Sequence, residues 1–542
     1  MGSQWLYRGC LWGVGLLAAC LSIRPALSAE RIVFAVGPLL QSISVESLTA
    51  FALEGEITGD LARYAPFIGD EQLQEFRAVL TQAYPIDSLT IGNLSYTPLG
   101  SSFLQRLGNI FQTEAGNNGF QAIRASLIAT AQAPEGFTVL GFLQNYPTNM
   151  RLNTREALFF MQALTVFREY RESALAAIAT QANQDATSAP SAWRDLSQPG
   201  PYTPQRQQLT VTSAGSFPAD LYLPGGAPSP LPVVAIAPSH GATLNEYEPL
   251  ANGLASYGIA VVIANPPQTA ATGRSALENR LNADLSPADF INRPRDITAT
   301  LDFLETWETT QPSLDLNLEQ VGVIGDYIGG YTALALAGAN ISRSRLDTVC
   351  SADGYVLNLS LLLQCRALEL PTPDMPLPDP RIGAVIAINP LASAVLGPEE
   401  IGNIEVPVLL IGGTNDLLTP AIAEQIHPLL WLNSPDKFLA LTVADQPANA
   451  SNSAGGSVLL PGLTETNSGL VTAYTRALSL AFMQRFIAQQ NDYEPYLTAA
   501  YGQYLSQEPL DLLILQDLSL EQLESAYGSA APVDLLPELR MR

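Results

Sequence analysis

Between Val321 and Tyr331 the chain reads VGVIGDYIGGY, and an Ala/Leu-rich stretch follows. An apolar strand that turns tightly between glycines into a helix is the arrangement that presents a nucleophile for acyl transfer, with serine at the centre of G-x-S-x-G. Gly325 and Gly329 flank the turn here, but the central residue is Tyr327 and Asp326 precedes it. A phenol, with a pKa of about 10, leaves little phenolate at neutral pH unless a strong base or a cation lies beside it. No sequence neighbour supplies one, and Asp326 opposes phenolate by like charge. The side chain is also too long for a turn built to hold a serine hydroxyl against a carbonyl carbon. Asp326 stands one residue before the position from which a carboxylate could attack.

Two further segments should complete such a site. Pro238-Ser239-His240-Gly241-Ala242 follows an apolar strand. Backbone N–H groups there, with that of Ile328 after the turn, are placed to stabilise a developing oxyanion. Ser239 itself is expected to be a strand-end cap or loop hydrogen-bonder. Gly412-Gly413-Thr414-Asn415-Asp416 ends another strand, and Asp416 takes the place of the acid that orients a catalytic histidine. That histidine should follow the strand Phe438–Val443, where the chain instead reads Ala444-Asp445-Gln446-Pro447. Gln446 thus occupies the base position. The two histidines of the chain are His240, in the oxyanion segment, and His427, expected on a helix or loop surface before that last strand. With base and nucleophile both replaced, Asp416 reads as a cap on its own loop.

Composition narrows what else the chain could do. Its 542 residues allow at least two domains, and 47% hydrophobic against 14% charged residues is a globular balance. A net charge of −25 excludes nucleic acid as a partner, because phosphates would be repelled. Two histidines and no CxxC pair leave no metal site, and no cofactor is implied. Arg8, the apolar run Cys10–Ile23 and the small residues Ala26, Ser28 and Ala29 form a signal-peptide pattern over residues 1–29. The run is too short to span a bilayer, so no transmembrane segment is expected after its removal. The chain is therefore expected to be periplasmic or extracellular; a lipoprotein signal ending at Cys20 is the rival reading. Cys350 and Cys365 remain in the mature chain and are expected to form a disulfide in an oxidising compartment.

The elements that must position these residues fall into blocks. Residues 30–152 read as a mainly helical domain opened by the strand-like Ile32–Val36. Residues 153–204 read as a long helix followed by a Pro/Ser/Gly-rich linker from 186. From 205 to 490, apolar runs at Leu231–Ala237, Ile259–Ala264, Val321–Ile324, Ile382–Ile388, Val406–Ile411 and Phe438–Val443 alternate with helical segments. Continuous apolar strands alternating with helices imply a parallel, doubly wound sheet covered on both faces. Residues 491–542 form a tail of weaker pattern.

Taken together, Arg31–Pro38, Leu89–Thr97, Ala122–Thr138, Ser239-His240-Gly241, Arg293-Pro-Arg-Asp296, the turn at Tyr327, Asn358–Cys365 and Val406–Pro420 resemble a group of exported bacterial α/β-hydrolases with an N-terminal domain of unknown function. Their hydrolase part is similar to platelet-activating-factor acetylhydrolases and dienelactone-hydrolase-like esterases. The resemblance implies an α/β-hydrolase fold preceded by a small helical domain. It also implies a Gly-His-Ser-x-Gly-Gly turn and a Thr-His pair near Asp445, both of which this chain lacks. The expected function is a catalytically impaired esterase relative that binds a lipid, an acyl ester or another molecule; the alternative is a carboxylic-ester hydrolase with a rearranged site.

Overall fold

The computed structural model describes residues 28–529 apart from 84–87, 135, 187–192, 213–215, 265–284, 351–357, 372–375, 415, 417, 445–467 and 517. Residues 1–27, most of the expected signal peptide 1–29, and Asp445 and Gln446 lie outside the described residues. The described residues fall into two compact units that divide at Phe159 and Phe160.

The first unit begins with a hairpin, β1 (Arg31–Val36) and β2 (Leu39–Ser44), paired antiparallel. Two three-residue strands, β3 (Phe111–Thr113) and β4 (Met150–Leu152), complete a sheet in the order β2-β1-β4-β3. Helices accompany it, among them Val45–Glu54, whose first turn is capped by Ser44, and Asp70–Thr81. Leu48, Phe51, Leu80, Ile123, Tyr146 and Met150 form its core. Asp60 ties the hairpin to that first helix by accepting from Ser44 Oγ at 2.9 Å and Ser47 Oγ at 2.8 Å. Burial works against its charge. The bonds from Ser47, Ser44 and Arg31 outweigh it and hold the carboxyl below the ordinary range.

The second unit is built on a nine-stranded sheet. Its strands are β5 (Thr203–Thr212), β6 (Ser216–Gly225), β7 (Leu231–Ala237), β8 (Ala260–Ala264), β9 (Leu316–Asp326), β10 (Ile382–Ile388), β11 (Val408–Gly413), β12 (Lys437–Ala444) and β13 (Leu510–Leu515). They lie in the order β13-β12-β11-β10-β9-β7-β8-β6-β5. The six from β8 to β12 are parallel, and β6, β5 and β13 are antiparallel to their neighbours. Val234, Ile236, Val261, Ile263, Ile324 and Leu409 pack with the helices Leu244–Ser256 and Ser468–Phe486. The alternate residues Val233, Ala235, Val323 and Val385 are buried as well, so both faces of the parallel strands are covered.

Two segments are more ordered than their composition suggests. In the expected linker, Trp193 packs its ring on Tyr496 and Tyr501, and Leu196 is buried in the core. In the expected tail, β13 closes one edge of the sheet against β12. Cys350 and Cys365 are joined as a disulfide, as expected.

Candidate active site

The order of the parallel strands reverses between β7 and β9, and ligand sites in open α/β sheets lie outside the carboxyl ends of the strands at that point. Tyr327 sits there. Strand β9 ends at Asp326, Tyr327 takes φ 53° and ψ −108°, and the helix Ile328–Leu336 begins at once. Positive φ at a bulky residue is strained, typically by about 1–3 kcal/mol, and persists only where surroundings enforce it. They do so here. The Tyr327 N–H donates to the Ile388 carbonyl at 2.9 Å, and the Tyr331 N–H donates to the Tyr327 carbonyl at 3.0 Å. A Cβ on Gly325 would overlap the Gly329 carbonyl, and one on Gly329 would overlap the Ala237 carbonyl. Both glycines are therefore required by close backbone approach, and the turn keeps the shape of a nucleophile elbow without the serine.

The phenol of Tyr327 donates to Oδ2 of Asp416, 89 residues later, and the tyrosine is only 7% exposed. The other oxygen of Asp416, Oδ1, accepts the N–H groups of Leu418 at 2.9 Å and Thr419 at 2.8 Å. Asp416 thus bonds the amides of its own loop and is also the acceptor for the Tyr327 side chain. The sequence showed no base beside Tyr327; the fold brings in a carboxylate from the end of β11. An ionised acceptor makes such a bond stronger than a neutral pair.

Around this corner the loop after β7 is held by residues that the sequence singled out only through resemblance, or missed. Tyr247, on the helix that follows the loop, donates to Asp326 Oδ2 at 3.2 Å and accepts the Ser239 N–H at 2.8 Å. Asp326 is accordingly engaged in this bridge. Ser239 is buried, and its carbonyl accepts the Ala242 N–H at 3.3 Å, so it is a turn residue as expected. Arg293, fully buried, donates from Nη1 to the Pro238 carbonyl at 2.8 Å and lies 3.4 Å from His240 Nδ1 through Nη2. Burial lowers its pKa, opposed by Asp289, Tyr247 and Asp296. Burial also raises Asp296, to about 6, against the pull of Arg293.

A guanidinium can only donate, so a bond to Nδ1 leaves the His240 proton on Nε2. Asp289 Oδ2 lies 4.0 Å from the same nitrogen. His240 is thereby engaged with Arg293 and Asp289, while Gly241, at φ +71°, and Ala242 continue the loop toward the helix N-terminus. The N–H of Ile328 opens the elbow helix, where amides have no intrahelical acceptor.

His427 departs from expectation. It is buried at the start of the helix His427–Trp431, with Nε2 3.2 Å from the Tyr527 hydroxyl, and burial lowers its pKa to about 4. A partner 100 residues away gave no local sequence signal. Among the described residues no group of His, Cys, Asp and Glu is arranged to hold a metal ion.

Comparison with known families adds one finding. Residues 28–153 match the family described as alpha/beta hydrolase of unknown function (DUF1400). No curated protein matches the chain. The match covers the first unit, whereas the elbow and its partners lie in the second. The reversed parallel sheet and the strained strand-to-helix turn after β9 together make the second unit an α/β-hydrolase fold.

Proposed function

We propose that this chain is an exported α/β-hydrolase-fold protein that no longer turns over esters and serves as a binding or interaction protein, with a lipid or acyl ester as its ligand class. The observation that carries this reading is the bond from the Tyr327 hydroxyl to Asp416. In a working triad a histidine stands between nucleophile and acid, taking a proton from one and being oriented by the other. Here the elbow side chain reaches the acid directly. His240 is committed to Arg293, His427 to Tyr527, and Gln446 stands where the base would be. Export agrees with the disulfide between Cys350 and Cys365. No helix among the described residues is long and apolar enough to cross a membrane.

A fluorophosphonate probe, which reacts with activated serines, is expected to leave the purified protein unlabelled under conditions that label an active esterase. Stoichiometric labelling at any serine would overturn the proposal.

The same contact favours one other reading, ester hydrolysis by a rearranged site with Asp416 as base for Tyr327. Two points weigh against it. A carboxylate is a far weaker base than the phenolate it would have to generate. A tyrosine side chain is also longer than the serine for which such a turn is built, so its oxygen is misplaced for attack on a carbonyl carbon.

A further inference from the structure

The first unit buries a positive charge that no carboxylate in it neutralises. The helices Ser88–Tyr96, Pro98–Ile110 and Phe120–Thr130 pack on one another, and their sequences contain no aspartate or glutamate. The chain has 51 acidic residues, yet Glu114 is the only one between Ser88 and Pro134. That carboxylate accepts from Asn149 Nδ2 at 3.1 Å. Arg124 stands on the third of these helices and is only 8% exposed. It forms no ion pair with any residue of the chain.

A guanidinium has five N–H groups to place. Nη2 of Arg124 donates to the Ser95 carbonyl at 2.6 Å and to Ser101 Oγ at 2.9 Å. The N–H groups of Nη1 and Nε have no acceptor among the described residues, and Nε is sealed from solvent. The rings of Tyr96 and Phe120 lie 4.2 Å and 4.3 Å from the guanidinium carbon. Their faces attract the cation and hold it in place, but they carry no counter-charge. Water satisfies donors without neutralising the charge either. Burying a charge is costly unless it is paired and hydrogen-bonded, and here the pairing is missing. Ser95, Tyr96 and Arg124 come from the runs Leu89–Thr97 and Ala122–Thr138, which the candidate active site does not use.

We propose that Arg124 anchors a carboxylate-binding site in the first unit, whose ligand is a small carboxylic acid in its ionised form. A guanidinium held by aromatic faces with donors left over is organised in advance for a pair of carboxylate oxygens. The net charge of −25 repels a dianion more than a monoanion, which favours a carboxylate over a phosphate. Tyr96 is exposed, so its ring forms the outer wall of the site. The site is independent of the elbow and of how the elbow is read.

The test is calorimetric titration of the full chain with butyrate, with butyramide, and with inorganic phosphate as a dianion. Butyrate should bind, its uncharged amide should not, and phosphate should bind more weakly. Arg124→Lys keeps the charge but loses the planar donors, and should weaken butyrate binding about tenfold. Tyr96→Leu, at an exposed position that leaves the core intact, should weaken it about threefold. The second variant keeps the test decisive if the first does not fold. Butyrate binding that either folded variant leaves unchanged would overturn the proposal. No binding of butyrate by the parent, or equal binding of butyramide or phosphate, would overturn it as well.

Discussion

Two carboxylates eight positions apart, Asp416 and Glu424, have opposite surroundings, and the contrast explains what the site has kept. Glu424 is completely buried in a π-helical turn, Ile422–Ile426. One oxygen accepts the N–H groups of Ala392 at 2.8 Å and Ser393 at 2.9 Å. The other accepts from Ser393 Oγ, Asn358, Ser360 and Gln364. Asp416 divides its two oxygens between its own turn and the Tyr327 phenol. Both oxygens of Glu424 are taken up by buried hydrogen bonds. Asp416 is structural on one side and, on the other, faces the place where chemistry would occur. An acid that caps its loop is retained whether or not a base exists, so its presence says nothing in favour of catalysis.

The contrast can be broken most severely at Glu424. Glu424→Ala strips the acceptor from a fully buried network and should cost about 3–5 kcal/mol, read by denaturant unfolding. A loss below 1 kcal/mol would mean that the network is not needed. Next comes His427, three residues on. Its folded pKa, about 4, lies below the ordinary 6.5, so the unfolded chain takes up a proton that the native state refuses. Stability from the neutral ring is complete above pH 6.5 and is lost as pH falls toward 4, by up to about 3 kcal/mol. His427→Gln should flatten that limb of the stability–pH curve; an unchanged slope would place the effect elsewhere. Asp416→Ala, which frees two loop amides and the phenol, should cost about 1–3 kcal/mol. Tyr327→Phe removes one bond and should cost about 1 kcal/mol, with the fold intact by circular dichroism. If Tyr327→Phe proved costlier than Asp416→Ala, the phenol rather than the loop would be the main business of Asp416.

The parallel strands were legible because burial on both faces leaves an uninterrupted apolar run, as in Leu231–Ala237 and Ile382–Ile388, whose bounds agree with β7 and β10. The edge strands were not. In β5 the sequence TPQRQQLTVT has one face open to solvent and few apolar residues to mark it. β13, LDLLIL, is short and stands in a tail with little else to support it. In the first unit β3 and β4 are three residues each, below the length at which alternation can be seen. The linker reading followed composition and missed Trp193 and Leu196, whose partners lie far along the chain. At the site, the elbow was legible because its glycines are demanded by local backbone contact. The Tyr327–Asp416 bond and the Arg293–His240 contact were not, since only the folded sheet brings their ends together.

The most direct test compares hydrolysis of short-acyl p-nitrophenyl esters by the parent protein, Tyr327→Phe, and Tyr327→Ser combined with Gln446→His. If an intact scaffold has lost its nucleophile and base, the first two should match buffer and the third should turn over substrate measurably. Steady turnover by the parent that Tyr327→Phe abolishes would contradict this account and make the tyrosine a working nucleophile.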